Sequence, residues 1–279
     1  MSYPLDADAT ALIFSDLDAT LLDHYSYSFA AAKSTLDKLR LKAIPVILNT
    51  SKTLAEVKVI RAELQLTSPF IVENGAAIFI PQDFFKTKPK EAVWQDGFWV
   101  KTFASRRSHW LNLIKKLQPE FLGQFEMFSE MSLARISEVT GLSETNAALA
   151  AQRLYGEPLL WNGNDDERDI FVAKAKKMGA CALLGGRFLH ICSDANKGKA
   201  LTWMKNEYQR QLQQTNVKTI ALGDSNNDIA MLEVADIAVR IRSPIHPPPL
   251  LQRKDSTYTS SLTGPDGWRE AIELIMPSL

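Results

Sequence analysis

The sequence predicts an α/β protein with a Rossmann-like parallel sheet that is interrupted by a smaller inserted α/β domain. Short apolar runs alternate with helical patterns near both ends of the chain, which is typical of parallel βαβ units with right-handed crossovers. Residues 83–190 have a different pattern of residues, and Pro81 with the lysine-rich, proline-containing stretch 86–90 marks the change. We therefore expect a core domain formed by residues 1–82 and 191–279, with residues 83–190 inserted as a lid-like domain.

The first predicted strand, residues 11–14, is apolar throughout and is followed at once by two carboxylates, Asp16 and Asp18. Parallel strands covered on both faces are apolar along their length, and open α/β sheets bind ligands beyond the carboxyl ends of their strands. Because adjacent carboxylates repel each other, the pair favours a hard divalent cation, most simply Mg²⁺. Taken alone, the same pattern is as typical of a solvated acidic loop.

The chain then alternates between helix and strand as far as residue 80. The predicted elements are a helix over 29–41, a strand over 44–49, a helix from Thr53, a strand over 69–72 and a strand over 77–80. Thr53 is suited to cap the second helix, and Glu73-Asn74-Gly75 forms a tight turn between the last two strands. This order predicts a growing parallel sheet with one returning strand.

The inserted stretch predicts a small domain of helices and strands. Helices are predicted from Trp110 to Leu117, over 144–154 with Ser143 as the cap, and over 166–177; strands are predicted over 159–161, 180–184 and 188–192. Four of the six tryptophans lie here: Trp94, Trp99, Trp110 and Trp161. They either stack on a sugar ring or fill the core of the small domain. Cys181 and Cys192 both lie in apolar stretches, which favours two reduced thiols.

A second acidic cluster follows the insertion. After a helix over 200–213, a strand over 218–222 leads into Gly223-Asp224-Ser225-Asn226-Asn227-Asp228. If this strand and the first strand are neighbours, four carboxylates converge at one edge of the sheet. A strand over 237–239, a proline-rich loop over 243–249 and a helix over 268–276 complete the chain.

Two of these stretches together carry a resemblance to a known family. Asp16-Leu17-Asp18-Ala19-Thr20 with Gly223–Asp228 resembles the haloacid dehalogenase superfamily of aspartyl-phosphate phosphatases, in the subgroup with a large α/β cap. Four further stretches resemble the mannosyl-3-phosphoglycerate phosphatases: Ile71–Gly75, Gly185–Phe188, Asn196–Ala200 and Gly264–Trp268. In the superfamily a glycine usually follows the second aspartate, where this chain has Ala19. If that position requires a positive φ, alanine costs about 1 kcal/mol.

The resemblance implies roles for the four carboxylates. Asp16 would attack phosphorus, and Asp18 would protonate the leaving group and then activate water. Mg²⁺ would be held by Asp16, the backbone carbonyl of Asp18, Asp224 and Asp228, the last through water. Asp228 alternatively only caps the helix that follows it.

The resemblance also implies a phosphate site. Thr50 would donate its hydroxyl to a phosphoryl oxygen, although it alternatively marks only a helix start. Lys197 would neutralise the charge shared by phosphate and Asp16, with Lys199 as its competitor for this role. Asn227 would bond to the phosphate or hold Asp228.

Residues that select the substrate are harder to identify. Arg187 follows two glycines and is suited to present a guanidinium to the carboxylate of a glycerate group. Glu73 and Asn74 contact sugar hydroxyls or simply form the turn. Lys52, two residues beyond Thr50, is placed to reach an anionic substrate.

Three functions are compatible with these patterns. The first is a Mg²⁺-dependent phosphatase acting on a small phosphorylated sugar or glycerate derivative, with mannosyl-3-phosphoglycerate, cleaved to mannosylglycerate and phosphate, as the best single substrate. The second is a sugar phosphomutase that uses the same aspartyl-phosphate, and the third is a non-catalytic phosphosugar-binding protein. The chain has 32 Lys plus Arg residues and 32 Asp plus Glu residues. Its net charge is therefore zero, which gives no indication of binding to nucleic acid or to an anionic membrane. We expect a cytoplasmic protein without a signal peptide; its oligomeric state stays open.

Overall fold

The structure, a computed structural model, describes residues 10–185, 187–277 and 279. These residues form two compact units. The first contains the described residues up to Ser51, then Glu63–Lys101 and the chain from Asn196 onward; the second contains Lys52–Ala62 and Thr102–Ala195. The limits of these two units differ from those of the insertion predicted at 83–190. The boundaries of that insertion stay a prediction.

The described part of the chain alternates between strands and helices. The strands are β1 (Thr10–Ser15), β2 (Val46–Asn49), β3 (Phe70–Val72), β4 (Ala77–Pro81), β5 (Val93–Gln95), β6 (Phe98–Thr102), β7 (Phe125–Met127), β8 (Glu157–Trp161), β9 (Cys181–Gly185), β10 (Phe188–Cys192), β11 (Val217–Gly223), β12 (Ile237–Arg242) and β13 (Thr257–Thr263). The helices are α1 (Lys33–Leu41), α2 (Leu54–Glu63), α3 (Arg107–Leu117), α4 (Leu133–Thr140), α5 (Glu144–Ala150), α6 (Asp165–Lys177), α7 (Lys197–Leu212), α8 (Ile229–Val234) and α9 (Gly264–Ile275). None of these helices has the length and apolar character needed to cross a membrane.

The first unit is built on a sheet with the strand order β13-β12-β11-β1-β2-β3-β4-β6-β5. From β13 to β3 neighbouring strands are parallel, and β4 returns antiparallel to β3. This confirms the predicted Rossmann-like parallel sheet. Strand β1 is central and almost entirely buried, as its apolar sequence predicts. Ser15 pairs with Leu222 of β11, so the residues that follow these two strands emerge side by side.

The second unit contains an antiparallel sheet with the order β7-β8-β10-β9. Its core includes the buried Trp110, and Trp161 packs against the same cluster, so these two tryptophans fill a core. Cys181 and Cys192 face each other across β9 and β10 and form no disulfide.

Several features differ from the predictions. Trp94 and Trp99, which were predicted to lie in the small inserted domain, lie on β5 and β6, and these strands join the large sheet of the first unit. Helix α7 begins at Lys197, three residues earlier than predicted, because the Asn196 side chain accepts a hydrogen bond from the Lys199 backbone N–H at 2.9 Å and so acts as the N-cap. Helix α9 begins at Gly264, because a proline is well tolerated in the first turn of a helix.

Candidate active site

Three loops and one helix start of the first unit bring the predicted core residues to the carboxyl edge of the parallel sheet. Asp16 follows β1 and Thr50 follows β2, while Asp224 follows β11. Lys197 is the first residue of α7, and Asp228 ends a short 3-10 helix just before α8. Parallel packing of β11, β1 and β2 therefore places these residues beside one another, where open α/β sheets bind ligands.

Lys197 lies at the centre of the cluster. Its Nζ donates to Asp16 Oδ1 at 2.7 Å and to Asp228 Oδ1 at 2.6 Å, and its side chain is fully buried. The Asn49 side chain donates to the Lys197 carbonyl at 3.0 Å, which anchors the start of α7 beneath the site. Lys199 is exposed, so Lys197 is the lysine that reaches Asp16.

Asp228 is held by the loop in front of it. Its Oδ2 accepts backbone hydrogen bonds from Asp224 at 3.1 Å and Ser225 at 3.0 Å. Gly223 makes room for this arrangement, because a Cβ at that position would lie 2.4 Å from the Asp228 carboxyl carbon. Asp228 therefore orders the turn and at the same time supplies a buried charge to Lys197.

Three buried carboxylates share the site with one ammonium. Burial raises the pKa of Asp16 to about 7, with Asp228 and Asp18 adding repulsion while Lys197 opposes the rise. Burial, joined by the charge of Asp16, raises the pKa of Asp224 to about 6, and burial also raises the pKa of Asp228. Burial disfavours the charge on Lys197, but the two paired carboxylates outweigh it and raise its pKa. The cluster thus holds more negative charge than the protein compensates.

The donor set fits a hard divalent cation. Asp16, Asp224 and Asp228 each offer a carboxylate oxygen, and these atoms lie within 4.8 Å of one another. Oxygen ligands of this kind suit Mg²⁺, and a divalent charge equals the two negative charges that remain when Lys197 is set against the three carboxylates. The side chain of Asp18 is not part of this group.

Two contacts to Asp224 were not predicted as part of the site. Thr20 Oγ1 donates to Asp224 Oδ1 at 3.3 Å, and His246 Nε2 lies 3.2 Å from Asp224 Oδ2. Thr20 belongs to the first motif, so its presence in the site could have been predicted from the sequence. His246 lies in the proline-rich loop after β12, where no pattern marks it.

A third unpredicted contact is made to the backbone of Asp16. The buried indole N–H of Trp268 donates to Ser15 Oγ at 3.0 Å, and Ser15 Oγ donates to the Asp16 carbonyl at 2.7 Å. This contact connects the Gly264–Trp268 stretch, which the sequence analysis singled out without a role, to the backbone of Asp16.

Ala19 adopts the left-handed conformation that its position in the first motif suggests. Its φ is 55°, and its side chain is buried. Alanine at a positive φ is strained by about 1 kcal/mol or more, and burial of its methyl group offsets part of this, by roughly 0.8 kcal/mol.

The predicted phosphate and substrate residues fall in both units. Asn227 donates from Nδ2 to Asn74 Oδ1 at 3.1 Å, whereas Asp228 accepts hydrogen bonds from Lys197, Asp224 and Ser225. Lys52 and Arg187 belong to the second unit. There Lys52 Nζ lies 3.9 Å from Glu56, and Arg187 donates to the Val139 carbonyl at 2.6 Å. Gly186, in the predicted glycine turn, lies outside the described residues.

Comparisons with known proteins give a family match, similar relatives and a similar fold. Residues 13–92 and 181–244 match the haloacid dehalogenase-like hydrolase family. The chain is 35% identical over 271 residues to the glucosyl-3-phosphoglycerate/mannosyl-3-phosphoglycerate phosphatase of Methanococcoides burtonii, covering 94% of this chain and 95% of that protein. It is 32% identical to the protein of the same name from Persephonella marina, covering 95% and 97%. In fold it is similar to a phosphatase of the haloalkanoate enzyme superfamily from Bacteroides thetaiotaomicron, with a TM-score of 0.67 and 17% identity over 97% of this chain and 96% of that one.

Proposed function

Because this chain belongs to the haloacid dehalogenase-like hydrolases, we propose that it is a Mg²⁺-dependent phosphatase that releases phosphate from mannosyl-3-phosphoglycerate or glucosyl-3-phosphoglycerate. The class, a phosphoric monoester hydrolase acting on a small phosphorylated sugar, rests on two relatives that align with nearly the whole chain. The choice of these two esters rests on the names of the same relatives.

The observation that carries the proposal is the buried cluster of three carboxylates around Lys197. A phosphate monoester is a dianion, and at about 4 Å and an effective dielectric of about 20 each pair of like charges costs roughly 4 kcal/mol. Asp16, Asp224 and Asp228 would hold Mg²⁺, which when bound supplies charge neutralisation and polarises the phosphoryl group. Without a cation, the site would repel the substrate that it is built to receive.

In the reaction, Asp16 forms a bond to phosphorus while the bond from phosphorus to the ester oxygen breaks. Asp18 gives its proton to the leaving alkoxide. Asp18, now ionised, takes a proton from water, and the hydroxide attacks phosphorus, which breaks the aspartyl-phosphate bond and returns Asp16 as a carboxylate. Lys197, whose Nζ lies 2.7 Å from Asp16 Oδ1, would stay charged throughout.

The remaining polar groups bind and orient the phosphoryl group. Thr50 is fully buried directly after β2, which suits a hydroxyl that donates to a phosphoryl oxygen. Asn227 is exposed and keeps a second N–H beyond the one donated to Asn74, which suits a second donor to the phosphoryl group.

The test is phosphate release with saturating Mg²⁺ from both phosphoglycerate esters and from simple hexose phosphates, with Asp16→Asn as the inactive control. We expect a preference for the phosphoglycerate esters and loss of release in EDTA. Equal, weak release from all esters would keep the phosphatase and remove the named substrates. No release from any ester by the wild-type protein would overturn the proposed function.

A further inference from the structure

The turn between β3 and β4 has a backbone that an ordinary hairpin does not require. Glu73, Asn74 and Gly75 have φ values of 47°, 58° and 90°, so three consecutive residues adopt left-handed conformations. For an ordinary side chain such as that of Glu73 this costs about 1–2 kcal/mol, whereas asparagine tolerates the conformation better. Strain of this kind persists only where surrounding contacts determine it, so the contacts of this turn show what the strained backbone achieves.

The backbone of the turn contacts two loops of the active site. The Asn74 N–H donates to the Thr50 carbonyl at 2.9 Å. Gly75 lies so close to the start of α7 that a Cβ on it would be 2.2 Å from the Asn196 carbonyl oxygen. The turn is therefore packed against the residues that precede Lys197 and against the loop that carries Thr50.

The side chain of Asn74 reaches a third loop. Its Oδ1 accepts the hydrogen bond from Asn227 Nδ2, and Asn227 Oδ1 in turn accepts one from Ser225 Oγ at 2.6 Å. Thr50 follows β2 and Asn227 follows β11, and these two strands flank β1 in the sheet. Asn74 thus joins the loops on the two sides of Asp16.

From these contacts we infer that Asn74 is a positioning residue for the phosphoryl group, which holds Asn227 and the Thr50 loop on either side of Asp16. The inference rests on the proposed function and deepens it, since it assigns Asn74 to the part of the site that any phosphate ester occupies. A residue that selects the sugar would instead affect only substrates that carry one. Asn suits the position because its short polar side chain tolerates a positive φ while it supplies the acceptor for Asn227.

The variant that isolates the side chain is Asn74→Gly, because glycine adopts the left-handed backbone without strain and lacks the acceptor. Asp96→Gly is the matched control: Asp96 has a φ of 49° in the exposed turn between β5 and β6. Both proteins are assayed with a phosphoglycerate ester and with p-nitrophenyl phosphate, and binding of inorganic phosphate in the presence of Mg²⁺ is measured by calorimetry. Asn227→Ala and the double variant complete a thermodynamic cycle.

We expect Asn74→Gly to weaken phosphate binding about tenfold and to lower kcat/KM by a similar factor for both esters, a change of about 1.4 kcal/mol. The double variant is expected to be no worse than Asn227→Ala alone, and Asp96→Gly to match the wild type. A loss confined to the phosphoglycerate ester, losses that multiply in the double variant, or unchanged phosphate binding would each overturn the inference. The phosphate-binding measurement needs no turnover. A wild-type protein that hydrolyses no ester would therefore refute the proposed function, and the binding measurement would still test the inference.

Discussion

Replacing Asp16 with asparagine should abolish turnover and at the same time stabilise the metal-free protein. Asp16 is buried, and its pKa is raised from 3.8 to about 7, first by burial and then by the neighbouring carboxylates. When folding raises the pKa of a carboxyl group, the folded protein is less stable with that group ionised than with it protonated. Ionised Asp16 therefore opposes folding above pH 7, and this opposition fades as the pH falls toward 4. The asparagine variant does not carry this cost.

The size of the effect follows from the pKa. A change from 3.8 to about 7 corresponds to about 4 kcal/mol at most, at 1.36 kcal/mol for each pH unit. The attraction between Asp16 and Lys197, whose atoms lie 2.7 Å apart, is already part of this pKa, and the amide keeps an oxygen that can accept from Lys197. We therefore expect a net gain of roughly 1–3 kcal/mol in the free energy of unfolding at pH 7.5, or about 3–8 °C in Tm. At pH 5 the gain should be less than half as large.

The assay is thermal unfolding in EDTA at pH 7.5 and pH 5, with phosphate release measured in parallel at saturating Mg²⁺. Asp83→Asn changes an exposed carboxylate in the same unit and should alter neither Tm nor turnover. An Asp16→Asn protein that is less stable than the wild type at pH 7.5, or a gain that is larger at pH 5, would refute the electrostatic reasoning. Undiminished turnover would refute the assignment of Asp16 as the nucleophile.

Three further outcomes are expected. Mg²⁺ should raise Tm more at pH 8 than at pH 5.5, because its ligands must be ionised; equal shifts at the two pH values would contradict the proposed metal site. Gly75→Ala should destabilise the protein by more than about 2 kcal/mol in urea unfolding, since its Cβ meets the Asn196 carbonyl, whereas Gly97→Ala, at a similar φ of 84° with open space around it, should cost only about 1 kcal/mol. Trp268→Phe should cost roughly 1–3 kcal/mol through the lost hydrogen bond to Ser15; a cost below about 0.5 kcal/mol would show that this contact contributes little.

The order of elements in the parallel sheet could be predicted because its strands are short and apolar. β1 and β11 are buried along almost their whole length, so composition alone marks them. β13 escaped prediction, because its sequence Thr-Tyr-Thr-Ser-Ser-Leu-Thr is polar and it forms an edge of the sheet. Strand β5, at the other edge, was missed because it is only three residues long, Val-Trp-Gln, and too short to show a period. Edge strands bury too little surface to need an apolar sequence.

The sequence by itself determined the α/β class, the carboxylates that follow β1 and β11, and the resemblance that assigned them a chemistry. These are local properties, since residue type and spacing carry them. The resemblance also indicated a lysine beside Asp16. Only the tertiary structure decided that Lys197, and not Lys199, pairs with Asp16, 181 residues away, and that it also pairs with Asp228. It also decided that Asn74 contacts Asn227, and that His246 approaches Asp224. Such contacts depend on how distant loops pack and on backbone angles that the packing imposes, and neither leaves a periodic trace in the chain.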